Sequence, residues 1–363
     1  MEQQLQPKAH KMVILAEGSF GILESKTATV LVRYHTENVV AVIDSTKAGK
    51  DVSDVIEVGE GIPIVSSLAE AMKFQPTMLA LGIAPPGGQM PQAWRSILHE
   101  AIESGLHVMS GLHRFLSEDS DLVALAKRHN VTLWDVRKPP TELPVATCKA
   151  ADVDATVVLT VGSDCRVGKM VAGIELTDAA RTRGLNAEFC ATGQNGIMIS
   201  GWGIAIDAVV SDFTAGASEQ IVLHGAKNHD LLIIEGQGSL VHPGYSGVTL
   251  SLLHGSMPDA MIFCHQPSRK IVARYTIPLP SLTEMINQYE TLANPIKPAK
   301  VIGLALNCYD LTDDQALRAI EAAEKETGLP ATDVVRFGSE KLLDAIQEVH
   351  EQNMGRIFSV REE

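Results

Sequence analysis

The sequence predicts an α/β protein of two doubly wound domains, a Rossmann-like domain over residues 1–140 and a P-loop NTPase-like domain over residues 141–363. Three observations carry this. Short apolar runs alternate with helical patterns along the chain, the signature of parallel sheets covered on both faces. Residues 137–145 (RKPPTELPV) hold three prolines, which continue neither a helix nor a central strand, and they separate two such series. Beyond that break, a strongly apolar strand runs straight into a glycine-and-lysine loop and then a helix.

In the first series the runs at 12–16, 39–43, 62–65, 78–83, 107–109 and 132–134 read as strands. Helical stretches at 67–73, 91–104 and 119–128 fall between them, and another follows Lys26 and Thr27. In the second series strands at 155–161, 187–191, 230–235, 260–265 and 301–307 alternate with helices at 168–183, 214–226, 282–293 and 313–327. A short strand near 333–337 and a helix over 339–349 complete the pattern, with no internal repeat and no low-complexity segment.

Composition narrows the function. The 363 residues are 45% hydrophobic, enough for real cores, and 30 basic against 44 acidic side chains give a net charge of −14 that repels a phosphate backbone. Aromatics at 4% offer few platforms for stacked bases, so nucleic acid is not an expected partner. No run approaches the roughly 18 apolar residues of a membrane span. Residues 1–11 are polar with no apolar region behind them, so a cytoplasmic location without membrane contact is expected. Five widely spaced cysteines without a C-x-x-C pair fit reduced thiols better than disulfides or zinc ligands. Twelve histidines include no H-E-x-x-H, and no metal is expected. The oligomeric expectation is a symmetric homo-oligomer.

The most informative segment follows the strand VVLTVG: Ser163, Asp164, Cys165, Arg166, Val167, Gly168, Lys169 and Met170. Small residues between a strand and a helix let backbone N–H groups face an anion, and Lys169 adds a point charge. All eight are assigned to cofactor phosphates. Against the pattern G-x-x-x-x-G-K-[ST], Ser163 stands at the first glycine and Met170 at the hydroxyl. A thioether is a poor ligand for Mg²⁺, so the loop reads as one that binds phosphates without hydrolysing a triphosphate. A pyrophosphate-containing cofactor such as coenzyme A fits that description. A second apolar strand ends in Glu235-Gly236-Gln237-Gly238, where nucleotide-binding domains place an acidic partner.

GSDCRVGK and IIEGQG resemble the phosphate loop and acidic strand of the dethiobiotin-synthetase-like branch of P-loop proteins, and VIGLALN is similar to its strand ending in an asparagine, here Asn307, near the nucleobase. The chain as a whole more closely resembles a bacterial family long of unknown function, with a Rossmann-like N-terminal and a P-loop C-terminal domain. That resemblance rests on KTATVLVRY (26–34), VVAVIDSTKAGKD (39–51), LALGIAPPGG (79–88), TGQNGIMISGWG (192–203), DAVVSDFTAGASE (207–219), the run 235–259 and CHQPSR (264–269). Members of the family include a D-glutamate N-acetyltransferase. The resemblance therefore implies acetyl transfer from acetyl-CoA to a small acidic amino acid.

Such transfer requires a neutral amine, donors for the oxyanion and a base. Glu235 and His242 are the candidate bases, the alternatives being a structural partner of the phosphate loop and a turn residue before Pro243. Asp212, just before a helix, is a third catalytic candidate or an N-cap. For the substrate, Gln194 and Asn195 offer hydrogen bonds or form a simple glycine turn. Lys26 with Thr27 offers an anion site at the start of a helix or merely begins it, while Arg33, Arg166, Arg274 and Arg336 offer cations for carboxylates or are solvated charges. Gly18 to Gly21 with Asp44 echo a dinucleotide fingerprint without completing it, and the loop 82–88 is a possible ligand-facing segment. Two other readings stay open: an ATP- and Mg²⁺-dependent ligase or kinase using Lys169 and Glu235, and a nucleotide- or CoA-binding sensor without turnover.

Overall fold

The computed structural model of the protein describes residues 5–22, 24–83 and 90–361. The chain divides into two compact units, one comprising Met1–Pro140 with Gln194–Ala208, the other Thr141–Gly193 with Val209–Glu363. Residues 84–88 of the glycine-proline loop noted above lie outside the described residues.

In the first unit six parallel strands, β1 (Met12–Leu15), β2 (Val39–Ile43), β3 (Ile64–Val65), β4 (Met78–Leu81), β5 (His107–Ser110) and β6 (Leu133–Asp135), lie in the order β3-β2-β1-β4-β5-β6. This is the Rossmann strand order. The central strands β1 and β4 are buried at every position, which is why they read as unbroken apolar runs rather than alternating ones. Helices α1 (Lys26–Tyr34), α2 (Ser53–Ile56), α3 (Leu68–Ala71), α4 (Gln92–Glu103) and α5 (Ser120–His129) connect them. The start of α5 follows from Asp119, whose side chain accepts the N–H groups of Asp121 and Leu122, and its end from Asn130 in the left-handed region.

In the second unit β7 (Thr156–Gly162), β8 (Ala187–Cys190), β9 (Leu231–Ile234), β10 (Ala260–His265), β11 (Lys300–Leu306) and β12 (Ala331–Thr332) form a second parallel sheet in the order β12-β11-β10-β7-β9-β8. Its helices are α6 (Lys169–Thr182), α8 (Thr214–Gly225), α9 (Ser246–Ser256), α10 (Leu282–Ala293), α11 (Asp313–Thr327) and α12 (Glu340–Arg361), while α7 (Gln194–Ser200) belongs to the first unit. The strand order reverses beside β7, the kind of switch point where open α/β sheets bind ligands outside their carboxyl ends. Among the described residues no helix is long and apolar enough to cross a membrane.

Four features depart from the sequence expectation. The segment 194–208 leaves the second unit for the first, because α7 buries Ile197, Met198 and Ile199 there and the carbonyl of Met198 meets the ring of His35 at 3.3 Å. The last strand is β12, not 333–337, because Asp333 folds the following residues into a turn by accepting the N–H groups of Val335 and Arg336, both at 3.1 Å. The terminal helix runs past 349 to Arg361. Finally, α9 forms despite Gly247 and Gly255, and a Cβ at Gly255 would lie 2.1 Å from the carbonyl oxygen of Ala215, so this glycine lets α9 approach the backbone of α8.

Candidate phosphate-binding site

The site is built on β7, which lies between β9 and β10. At its carboxyl end Gly162 cannot carry a side chain, since a Cβ there would sit 2.7 Å from the carbonyl oxygen of Cys264. The loop then curls through two left-handed residues, Arg166 (φ 58°) and Gly168 (φ 100°), and α6 begins without a side-chain cap. Its first-turn N–H groups are thereby left for an anion. Lys169 is buried and its Nζ donates to the carbonyl oxygen of Asp164 at 2.7 Å. Asn307, just past β11, packs against this turn: a Cβ on Gly168 would lie 3.6 Å from that of Asn307.

Not all eight loop side chains serve the anion side. Ser163 is fully buried, its Oγ 2.9 Å from His265 Nδ1 and its carbonyl accepting Ser239 Oγ at 3.0 Å. Asp164 is fully buried as well. Its Oδ1 accepts the Cys165 N–H at 2.7 Å, and its Oδ2 accepts the Ala273 N–H at 2.7 Å and Arg269 Nη1 at 3.0 Å. Arg269 also donates to the carbonyl of Cys165 at 2.6 Å, so the 266–273 segment is pinned to the loop by a half-buried ion pair. The sequence assigned Asp164 to the cofactor and did not single out Arg269; the CHQPSR run was its only signal. Val167 and Met170 are buried in the core, and Arg166 is exposed.

Glu235 follows β9, the neighbour of β7. Its Oε2 accepts the N–H groups of Thr192 and Gly193, each at 3.0 Å, and its carbonyl accepts Thr192 Oγ1 at 2.6 Å. The carboxylate thus holds the two peptides that lead into α7. His242 is buried between Tyr245 (ring centroids 4.7 Å apart) and Tyr275 (5.2 Å, edge-on), and its Nδ1 accepts the Gly244 N–H at 3.2 Å. The Gly244 N–H thus occupies Nδ1, so a base role for His242 would fall to Nε2. Asp164, Cys165 and His242 bring one ligand-type atom each within 4.8 Å of one another. The guanidinium of Arg269 already neutralises that carboxylate, and burial pushes the Cys165 thiol above its ordinary pKa despite Lys169 nearby.

The remaining candidates are dispersed. Asp212 is exposed in the short turn Ser211–Phe213 and gives α8 no side-chain cap, since that helix begins at Thr214 after Phe213. Lys26 and Arg33 occupy the first and the last turn of α1, about 10 Å apart along its axis. Asn195 accepts Thr27 Oγ1 at 2.9 Å, and Gln194 accepts Arg137 Nη1 at 3.2 Å, while Arg137 also reaches Asp207 at 2.9 Å. Arg137, buried in the first unit, looked like a linker charge in the sequence. Arg274 is exposed in the second unit with φ 68°. Asp44 accepts the N–H groups of Gly18 (3.2 Å), Phe20 (2.9 Å) and Thr46 (2.9 Å), so its carboxylate fastens the glycine loop of the first unit to β2.

Comparison with known proteins agrees with this architecture. Residues 144–343 match the family model described as a P-loop domain of unknown function (DUF1611_C), and residues 45–139 match its Rossmann-like N-terminal companion. A D-glutamate N-acetyltransferase of Tritonibacter scottomollicae is 39% identical over 288 residues, which cover 78% of this chain and 85% of that protein. Another of the same name from a Pseudoalteromonas species is 38% identical over 279 residues, 76% of this chain and 83% of that protein. The crystal structure of a DUF1611 family protein from Anabaena variabilis is 42% identical and superposes with a TM-score of 0.88, covering 93% of this chain and 99% of that one. The chain belongs to the DUF1611 family, which joins a Rossmann-like N-terminal domain to a P-loop C-terminal domain.

Proposed function

We propose that the protein is an N-acetyltransferase that moves the acetyl group of acetyl-CoA to the amine of a small acidic amino acid, D-glutamate first among them. The observation that carries this reading is a phosphate-type loop in which Lys169 and the uncapped start of α6 flank a curled backbone while Met170 stands where a hydroxyl would hold Mg²⁺. The names of relatives at 38–39% identity support the same chemistry. In this reading the loop binds the pyrophosphate of acetyl-CoA. The ammonium of the amino acid gives one proton to bulk water, and the neutral amine attacks the thioester carbonyl; the C–N bond forms, the C–S bond breaks, and the second amine proton passes to the departing CoA thiolate, which leaves as the thiol. In this reading a ring N–H of His242 donates to the developing oxyanion.

The test is thiol release from acetyl-CoA without added metal, across a panel of D- and L-amino acids. Release dependent on D-glutamate, with N-acetyl-D-glutamate as the product, is expected. Silence across the panel together with ATP turnover would replace this reading by an ATP-dependent ligase.

A further inference from the structure

A cavity of about 410 Å³ opens beyond the carboxyl ends of β10 and β11, between the start of α10 and the second half of α11. That volume falls within the roughly 300–1,000 Å³ of small-molecule sites. Two residues lining it also hold the phosphate loop: His265 meets Ser163 Oγ at 2.9 Å, and Arg269 meets Asp164 at 3.0 Å. The cavity therefore shares two of its walls with the braces of the candidate phosphate loop. Its chemistry is divided. Leu279 and Leu306 supply apolar surface, and Ala319, Ala322 and Ala323 present methyl groups only, leaving room for a flat ring. At the rim, Lys270 supplies positive charge, Arg269 being paired with Asp164, and Glu326, whose Oε1 accepts the Thr283 N–H at 3.3 Å, supplies an acceptor carboxylate. Lys270 is exposed, its Nζ donating to the carbonyl of Pro267 at 3.0 Å.

An apolar slot, an acceptor for an exocyclic amine and a cation beyond those of the phosphate loop match a purine nucleoside that carries a phosphate on its ribose. We infer that this cavity holds the nucleoside end of the acyl carrier, and that Lys270 recognises its ribose phosphate, so that the protein distinguishes CoA from carriers lacking that group. This rests on the acetyl-CoA reading above and specifies where the carrier lies.

Calorimetric binding of CoA and of 3′-dephospho-CoA to the full chain tests it, using wild type, Lys270→Ala, Ala322→Trp and Lys169→Ala, each checked for native thermal unfolding. Wild type is expected to prefer CoA about tenfold, which corresponds to about 1.4 kcal/mol. Lys270→Ala should abolish that preference while leaving dephospho-CoA affinity unchanged. Ala322→Trp, on an exposed helix position, should weaken both ligands at least tenfold by filling the slot. Should both variants bind CoA as wild type does while Lys169→Ala does not, the cavity assignment falls and the loop assignment stands. If wild type binds neither ligand and releases no thiol, the acetyl-CoA reading falls and takes the cavity assignment with it.

Discussion

Lys169 turns back on its own loop: its ammonium donates to the carbonyl oxygen of Asp164 at 2.7 Å, held there in a buried setting. The charge is thus kept beside the curled backbone that faces an anion, and it needs little reorganisation when phosphate arrives. Replacing it by alanine should weaken acetyl-CoA binding by about 10- to 100-fold, the range of one or two charge-assisted contacts. Calorimetry reads this directly, and unchanged affinity would undo the assignment of the loop.

Met170 predicts the response to chelation. Because a thioether stands where a hydroxyl would ligate Mg²⁺, acetyl transfer should proceed in excess EDTA within about twofold of the untreated rate. A large loss restored by Mg²⁺, measured by thiol release, would argue for phosphoryl chemistry instead.

His265 predicts a pH dependence of stability. Burial, with Lys270 and Arg269 adding repulsion, lowers its pKa to about 4 from its ordinary 6.5. The unfolded chain therefore binds a proton on this ring below pH 6.5 that the folded chain refuses until pH 4. Stability falls as pH drops through that window, by up to about 3 kcal/mol for this group. Chemical denaturation of wild type and His265→Gln at pH 7 and pH 4.5 checks it: the variant should lose less between the two values.

Gly236 predicts a packing limit. A Cβ there would lie 1.6 Å from the carbonyl oxygen of Thr160, while the Gly236 N–H donates to Thr160 Oγ1 at 2.9 Å. Gly236→Ala must push β9 from β7 at the point where the loop begins, and should cost about 3 kcal/mol. A thermal midpoint within a degree of wild type would contradict this.

The parts of the molecule legible in the sequence are those where one physical signal dominates. The strand of β7, the curl through Gly168 and the helix of α6 could be read because an apolar strand and a glycine-lysine turn have few other uses. Segments with weak local signals were hidden. Gln194-Asn195-Gly196 looked like a turn, because a seven-residue helix containing a glycine owes its form to packing rather than propensity. Long-range pairs were hidden for another reason. That Arg269 would close on Asp164, or Glu235 on the peptides of Thr192 and Gly193, depends on the sheet order that brings 100 or 40 residues of intervening chain back together, and neither composition nor spacing encodes it.

The excursion of residues 194–208 bears on how the chain is made. By the time β6 has left the ribosome, every strand of the first sheet exists, yet the helix that covers α1 has not been synthesised. It appears only after β7, α6 and β8 have emerged. During that interval the inner face of α1 and the ring of His35, whose Nδ1 is buried without a hydrogen-bond partner among the described residues, stand open to water. Maturation of the first unit is therefore timed by translation of the second, and a fragment cut at Pro140 would preserve the sheet while stripping away its last structural layer.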